Sequence, residues 1–112
     1  PALLLDVPTV DANVARMRAR LASLGVGFRP HLKTAKAIDV ARRMYDGGVG
    51  PATVSTLKEA EYFAGHGFTD ILYAVGITPG KLAHVSNLRA RGVDLKIILA
   101  TMRMMIRGVF KA

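Results

Sequence analysis

The densest chemistry in the chain lies in the segment Phe28-Arg29-Pro30-His31-Leu32-Lys33-Thr34-Ala35-Lys36. If Phe28 to Lys33 is extended, Arg29, His31 and Lys33 project from one face, because side chains alternate along a strand with a period of two. Lys33 then stands at the carboxy end of its strand, where α/β folds assemble their sites. With two other cationic groups on the same face, like charge disfavours the protonated ammonium, so Lys33 is expected to spend more of its time as the neutral amine. A neutral amine is what attack on an aldehyde requires. The same cluster could hold a phosphate or a carboxylate. Against these stands a plainer reading, in which all three are solvated cations at a strand end.

Other residues carry weaker signals. Thr53, Ser55 and Thr56 follow a strand-like run and could touch a small ligand, although Thr56 is better placed to cap a helix. His66 lies between Gly65 and Gly67 at a helix end and reads as a capping or solvent-facing imidazole. His84 falls within a helix, and neither histidine has a partner at metal-ligand spacing. Tyr73 reads as a buried aromatic. The turn Gly76-x-x-Pro79-Gly80-Lys81 lacks the glycine spacing of a phosphate loop.

These groups must be positioned by an alternation of short apolar runs and helical periods. Ala2 to Val7 reads as a first strand. Val14, Met17, Leu21 and Leu24 then form one helical stripe, with Asp11 favouring the amino end and Gly25 suiting the carboxy cap. Phe28 to Lys33 is a second strand; Ile38, Ala41 and Met44 mark a helix stopped at Gly47-Gly48. Val49 to Val54 is a third strand, and Thr56-Leu57-Lys58-Glu59 is a capping box for a helix reaching Gly65. Ile71 to Val75 is a fourth strand. Thr78-Pro79 opens a helix with Leu82, Val85 and Leu88 inward, Gly92 ends it, and Leu95 to Leu99 is a fifth strand. Strands separated by single helices are the rhythm of βα units and a parallel sheet. That rhythm alone does not choose between an open doubly wound sheet and part of a (β/α) barrel. A closed barrel takes about 250 residues, so 112 residues make at most a portion of one. From residue 100 to 112 the pattern gives way to an atypical basic tail containing Met102, Met104 and Met105.

Composition narrows the classes. With 51% hydrophobic and 21% charged residues the chain is globular in kind, and with no cysteine it has no disulfide, thiolate metal site or cysteine nucleophile. Sixteen Lys and Arg against eight Asp and Glu leave a charge of +8. The cations are scattered through helical segments without interleaved aromatics, so no nucleic acid is expected as a partner. The apolar stretch Ile97 to Ala100, like the chain's other apolar runs, is far short of a membrane span. The opening Pro1-Ala2-Leu3-Leu4-Leu5-Asp6 has no basic region ahead of it, so no membrane, no secretory signal and a cytoplasmic location are expected.

The string Arg29-Pro30-His31-x-Lys33-Thr34-x-Lys36 resembles the signature of the D-threonine aldolase and D-serine dehydratase-like enzymes, in the alanine racemase (fold type III) class of pyridoxal-phosphate proteins. Pro1 to Asp6 followed by Asn13 to Met17, Gly50 to Glu61 and Phe68 to Ala74 resemble further blocks of that family, in order, so residues 1–99 read as a partial barrel domain. The resemblance implies an amino-terminal portion of a (β/α)8 TIM-type barrel, with Ala2 to Val7 belonging to a β-domain outside it, and, because residues 100–112 depart from the family's continuation, a truncated or frame-shifted product is expected. It implies that Lys33 is the catalytic lysine that carries pyridoxal phosphate, and that Arg29, His31 and Thr34 orient the lysine or the cofactor. Less rests on Lys36, which reads as the solvated first turn of a helix. The implied reaction is cleavage or elimination on a small D-3-hydroxyamino acid, with a homodimer possible. A non-catalytic pyridoxal-phosphate-binding protein or an amino acid racemase is the alternative. A divalent metal belongs to full-length members through ligands downstream of the matched region; none is assigned to this chain.

Overall fold

The computed structural model describes residues 2–46 and 48–98, and its first regular element is α1, Val7–Ser23. Asp6 caps it, its carboxylate accepting the Thr9 amide at 3.1 Å and the Thr9 hydroxyl at 2.8 Å. Pro8 sits in the first turn, where a missing N–H leaves nothing unpaired. Gly25, at φ +65°, turns the chain out of the helix as expected. Two expectations are corrected here. Ala2 to Val7 is not a strand: Leu3, Leu4 and Leu5 are exposed, and no described strand offers them a ladder. Asp6, not Asp11, marks the helix start; Asp11 instead accepts Arg43 at 2.9 Å.

The expected strand Phe28 to Lys33 contracts to one bridging residue. His31 pairs in parallel with Thr53, the Leu32 amide donating to Thr53 O and the Thr53 amide to Pro30 O, each at 2.9 Å. Extending this ladder backward would need N–H groups from Pro30 and Pro51, and proline has none. Extending it forward would need the amide of Ser55, which donates to Glu59 Oε2 at 2.8 Å instead. The strand therefore stops at both ends for want of donors. Lys33 lies in the turn just beyond it, not on a strand.

The remaining elements alternate regularly. Helix α2 (Ile38–Arg43) leads to β1 (Ala52–Val54), α3 (Leu57–Gly65), β2 (Asp70–Tyr73), a 3-10 turn at Pro79–Lys81, α4 (Leu82–Ala90) and β3 (Asp94–Ile97). Thr56 and Glu59 form the expected capping box at α3. Thr78 makes no side-chain cap; Pro79 opens the 3-10 turn, and α4 begins only at Leu82.

The three strands are parallel in the order β1-β2-β3, with Val54 beside Tyr73 and Tyr73 beside Ile97. His31 pairs on the other side of β1. Neighbours in space thus follow chain order with no reversal, which is the winding of a barrel; a doubly wound sheet reverses its order at a switch point. One face of the sheet, with Val54, Ile71, Tyr73 and Leu95, packs beneath Leu57, Ala60, Phe63, Val85 and Leu88 to make the core. Helix α1 buries none of its residues, and Met17 and Leu24 of its stripe are exposed. No helix among the described residues is long and apolar enough to cross a membrane. The basic tail and residue 99 lie outside the described residues.

Candidate functional site

Register stacks the opposite face of the sheet in layers. His31, Thr53, Leu72 and Lys96 form one row across it. Two residues earlier along the strands lie Asp70 and Asp94, with Arg29 held beside Asp70; Lys33 and Ser55 follow beyond the carboxy end, in the turn after His31 and the loop after β1.

Arg29 is committed to the lower layer. Its Nη2 donates to both carboxylate oxygens of Asp70, at 2.8 and 2.9 Å, and its Nη1 donates to Ala52 O at 3.2 Å. Lys96 donates to the same carboxylate at 2.8 Å and to Asp94 at 2.6 Å. The Lys96 hydrogen bond, opposed by burial and reinforced by Arg29, holds the Asp70 carboxyl below its usual range. The expected cluster of three unbalanced cations is therefore not what forms, because Asp70 neutralises Arg29.

His31 and Lys33 do come together. The Lys33 amide donates to His31 Nδ1 at 3.3 Å, so that nitrogen is an acceptor and the proton of the neutral ring belongs on Nε2. Nε2 lies 3.3 Å from Ser55 Oγ. The imidazole thus bridges the Lys33 turn to the loop after β1. Lys33 and Thr34 are exposed in that turn, and among the described residues no carboxylate lies within 4 Å of the Lys33 ammonium.

Lys36 departs from its expected place. It is not in a helix: its φ is +51°, its amide donates back to Leu32 O at 3.1 Å, and its ammonium lies 3.1 Å from Glu59 Oε1. Burial raises the pKa of Glu59, but the Ser55 amide, Lys36 and the Thr56 amide outweigh it and hold the carboxyl below its usual range. Sequence reasoning named Glu59 only as half of a capping box. Its second partner had no local signal, since the turn brings the two together across two loops.

The weaker candidates resolve as structure. His66 caps α3, with Nδ1 2.8 Å from Tyr62 O, and His84 Nε2 lies 3.7 Å from Glu61. Tyr73 is fully buried, its hydroxyl accepting Lys81 Nζ at 3.1 Å, which also accounts for the lysine of the Gly76 to Lys81 turn. Among the described residues no group of three His, Asp or Glu side chains gathers as a metal cluster. Lys33 is exposed in the turn past the His31–Thr53 bridge, with its backbone amide held by the His31 ring, and a free lysine there has the chemistry to take an aldehyde cofactor.

No protein-family model matches the chain. It is 48% identical over 99 residues to D-threo-3-hydroxyaspartate dehydratase of Delftia sp., covering 88% of this chain and 26% of that one. It is 38% identical over 87 residues to D-serine dehydratase of Dictyostelium discoideum, covering 73% and 22%. Among solved structures, the metal-free form of a D-threo-3-hydroxyaspartate dehydratase variant superposes with a TM-score of 0.83 at 47% identity, over 87% of this chain and 26% of that one. An alanine racemase-like protein from Idiomarina loihiensis superposes with a TM-score of 0.75 at 48% identity, over 79% and 24%. The chain spans about a quarter of the length of these relatives. Sequential parallel winding, the Arg29-Pro30-His31-x-Lys33-Thr34 string and these identities together show the chain to be a homologue of an amino-terminal part of the barrel of the D-threo-3-hydroxyaspartate and D-serine dehydratases, which belong to the alanine racemase (fold type III) pyridoxal-phosphate class.

Proposed function

We propose that the chain is the amino-terminal part of a pyridoxal-phosphate-dependent lyase that eliminates water from a small D-3-hydroxyamino acid, with Lys33 as its catalytic amine. The observation that carries this reading is the position of Lys33: one turn past the His31–Thr53 bridge, exposed, with its own amide held by His31. Two relatives are dehydratases by name, which supports elimination over the aldol cleavage also expected for the family.

Lys33 Nζ would hold the cofactor at its aldehyde carbon. When bound, that group supplies an electron sink for a bond breaking at the amino-acid Cα. The chain's own residues do the rest. Lys33 Nζ, as a free amine, can hold the proton taken from Cα. His31, with its ring fixed between the Lys33 amide and Ser55, orients the turn, and Thr34 offers a hydroxyl beside it. Arg29, through Asp70, stiffens the layer below.

The test is to incubate the chain with pyridoxal phosphate, reduce with borohydride and map the pyridoxyl label by mass spectrometry. The expected result is a label concentrated on Lys33 and lost in Lys33→Ala. A label scattered over surface lysines, and unchanged in that variant, overturns the assignment. Adding D-threonine separates the reactions: ammonia and a 2-oxo acid mark elimination, glycine and acetaldehyde mark cleavage. A label with neither product marks a carrier and removes the enzymatic reading of this chain.

A further inference from the structure

We infer that Glu59 and Lys36 brace the Lys33 turn, Lys36 acting as a positioning residue for the reactive amine; this rests on the reading of Lys33 given above. The turn has two ends. At the first, buried Leu32 is pinned to Thr53 by its amide, and His31 accepts the Lys33 amide. At the second, Lys36 closes the turn onto Leu32 O in a left-handed conformation that residues bearing a Cβ rarely adopt. Something must hold it there.

Glu59 is placed to do so. Its side chain is only 8% exposed, and Oε2 is occupied by the amides of Ser55 and Thr56, at 2.8 and 3.3 Å. Oε1 is buried without a well-angled hydrogen bond and faces the Lys36 ammonium at 3.1 Å. A buried carboxylate oxygen left without a counter-charge is costly, so the pair is mutually required. The same carboxylate fixes the Ser55 amide, and Ser55 Oγ meets His31 Nε2. One side chain therefore reaches both ends of the turn: directly through Lys36, and through Ser55 and His31 to the Lys33 amide. A capping box would need only Oε2; the orientation of Oε1 is what a helix cap does not explain.

The test compares Lys36→Met, Lys36→Arg and Glu59→Gln with the unaltered chain, reading the rate of borohydride-fixed pyridoxyl labelling at Lys33 against labelling at the other lysines. Far-UV circular dichroism and the urea midpoint report folding. Glutamine still serves a capping box, so Glu59→Gln removes the charge while keeping the helix start. Lys36→Met and Glu59→Gln should each slow labelling at Lys33 by about tenfold or more, as displaced reacting groups do, with labelling elsewhere unchanged. Lys36→Arg should restore the rate to within about twofold, since charge and reach are kept. If Lys36→Met loses its helix signal, Glu59→Gln decides: labelling at the unaltered rate overturns the brace. Lys33 labelling that is lost in Lys33→Ala yet unchanged in Lys36→Met and Glu59→Gln also overturns it, while leaving the Lys33 reading intact. Undiminished total labelling in Lys33→Ala overturns both.

Discussion

The guanidinium of Arg29 grips the carboxylate of Asp70 through two hydrogen bonds, at 2.8 and 2.9 Å, across 41 residues of chain. This pair ties the segment before Lys33 to the second strand of the sheet, one layer beneath the candidate site. It also converts a cation that local spacing assigns to the site into a structural one. Asp70→Asn should weaken both Arg29 and Lys96 contacts and, because the pair is partly solvated, lower stability by about 1–2 kcal/mol. Urea denaturation reads this directly.

Acid should unfold the chain through two carboxylates. Asp70 and Glu59 are both held below their ordinary values of 3.8 and 4.5 in the folded protein, so the unfolded chain binds protons more readily. Their contribution is complete above those ordinary values and is lost as pH falls through the lower folded ones. The urea midpoint should therefore be flat from pH 7 to 5 and fall below about pH 4.5. Asp70→Asn should flatten part of that fall.

Gly50 is a steric requirement. A Cβ there would meet the Tyr45 ring at 2.5 and 2.7 Å. The ring cannot swing aside freely, because its hydroxyl donates to Pro51 O at 2.7 Å and it packs, tilted and edge-to-face, against Phe28 and Phe68. Gly50→Ala should cost about 1–3 kcal/mol, in the manner of an overpacked core. A midpoint equal to that of the unaltered chain would show that the ring gives way.

The imidazole of His31 should carry its proton on Nε2. Nitrogen NMR near pH 8 should show Nδ1 as the unprotonated nitrogen, accepting the Lys33 amide. Ser55→Ala removes the partner of Nε2 but not the Lys33 amide on Nδ1, so the same tautomer should persist, with little change in global stability.

The capping box is a local device and should behave as one. Thr56→Ala removes the acceptor of the Glu59 amide, a 3.0 Å bond, and should cost about 1 kcal/mol. Thermal or urea midpoints would check it, and Thr56→Ser should recover most of the loss.

What sequence determined by itself is what neighbours along the chain decide. Thr56 and Glu59 are three residues apart, so their mutual cap was legible, as were the turn at Gly25, the alternation of helices with short apolar strands, and the Arg29 to Lys36 string that carries the family likeness. The strand before Lys33 is shorter than its residues predict, although Pro30 and Pro51 are visible in the sequence, because only parallel pairing reveals which donors they withhold. Tertiary structure alone decided that the strands follow one another in barrel order, that Arg29 belongs to Asp70, and that Lys36 answers Glu59. The reason is geometric. Local spacing fixes which face a side chain shares with its neighbours, but which distant charge meets it depends on register and on loops that turn back, and neither is written in any short stretch of residues.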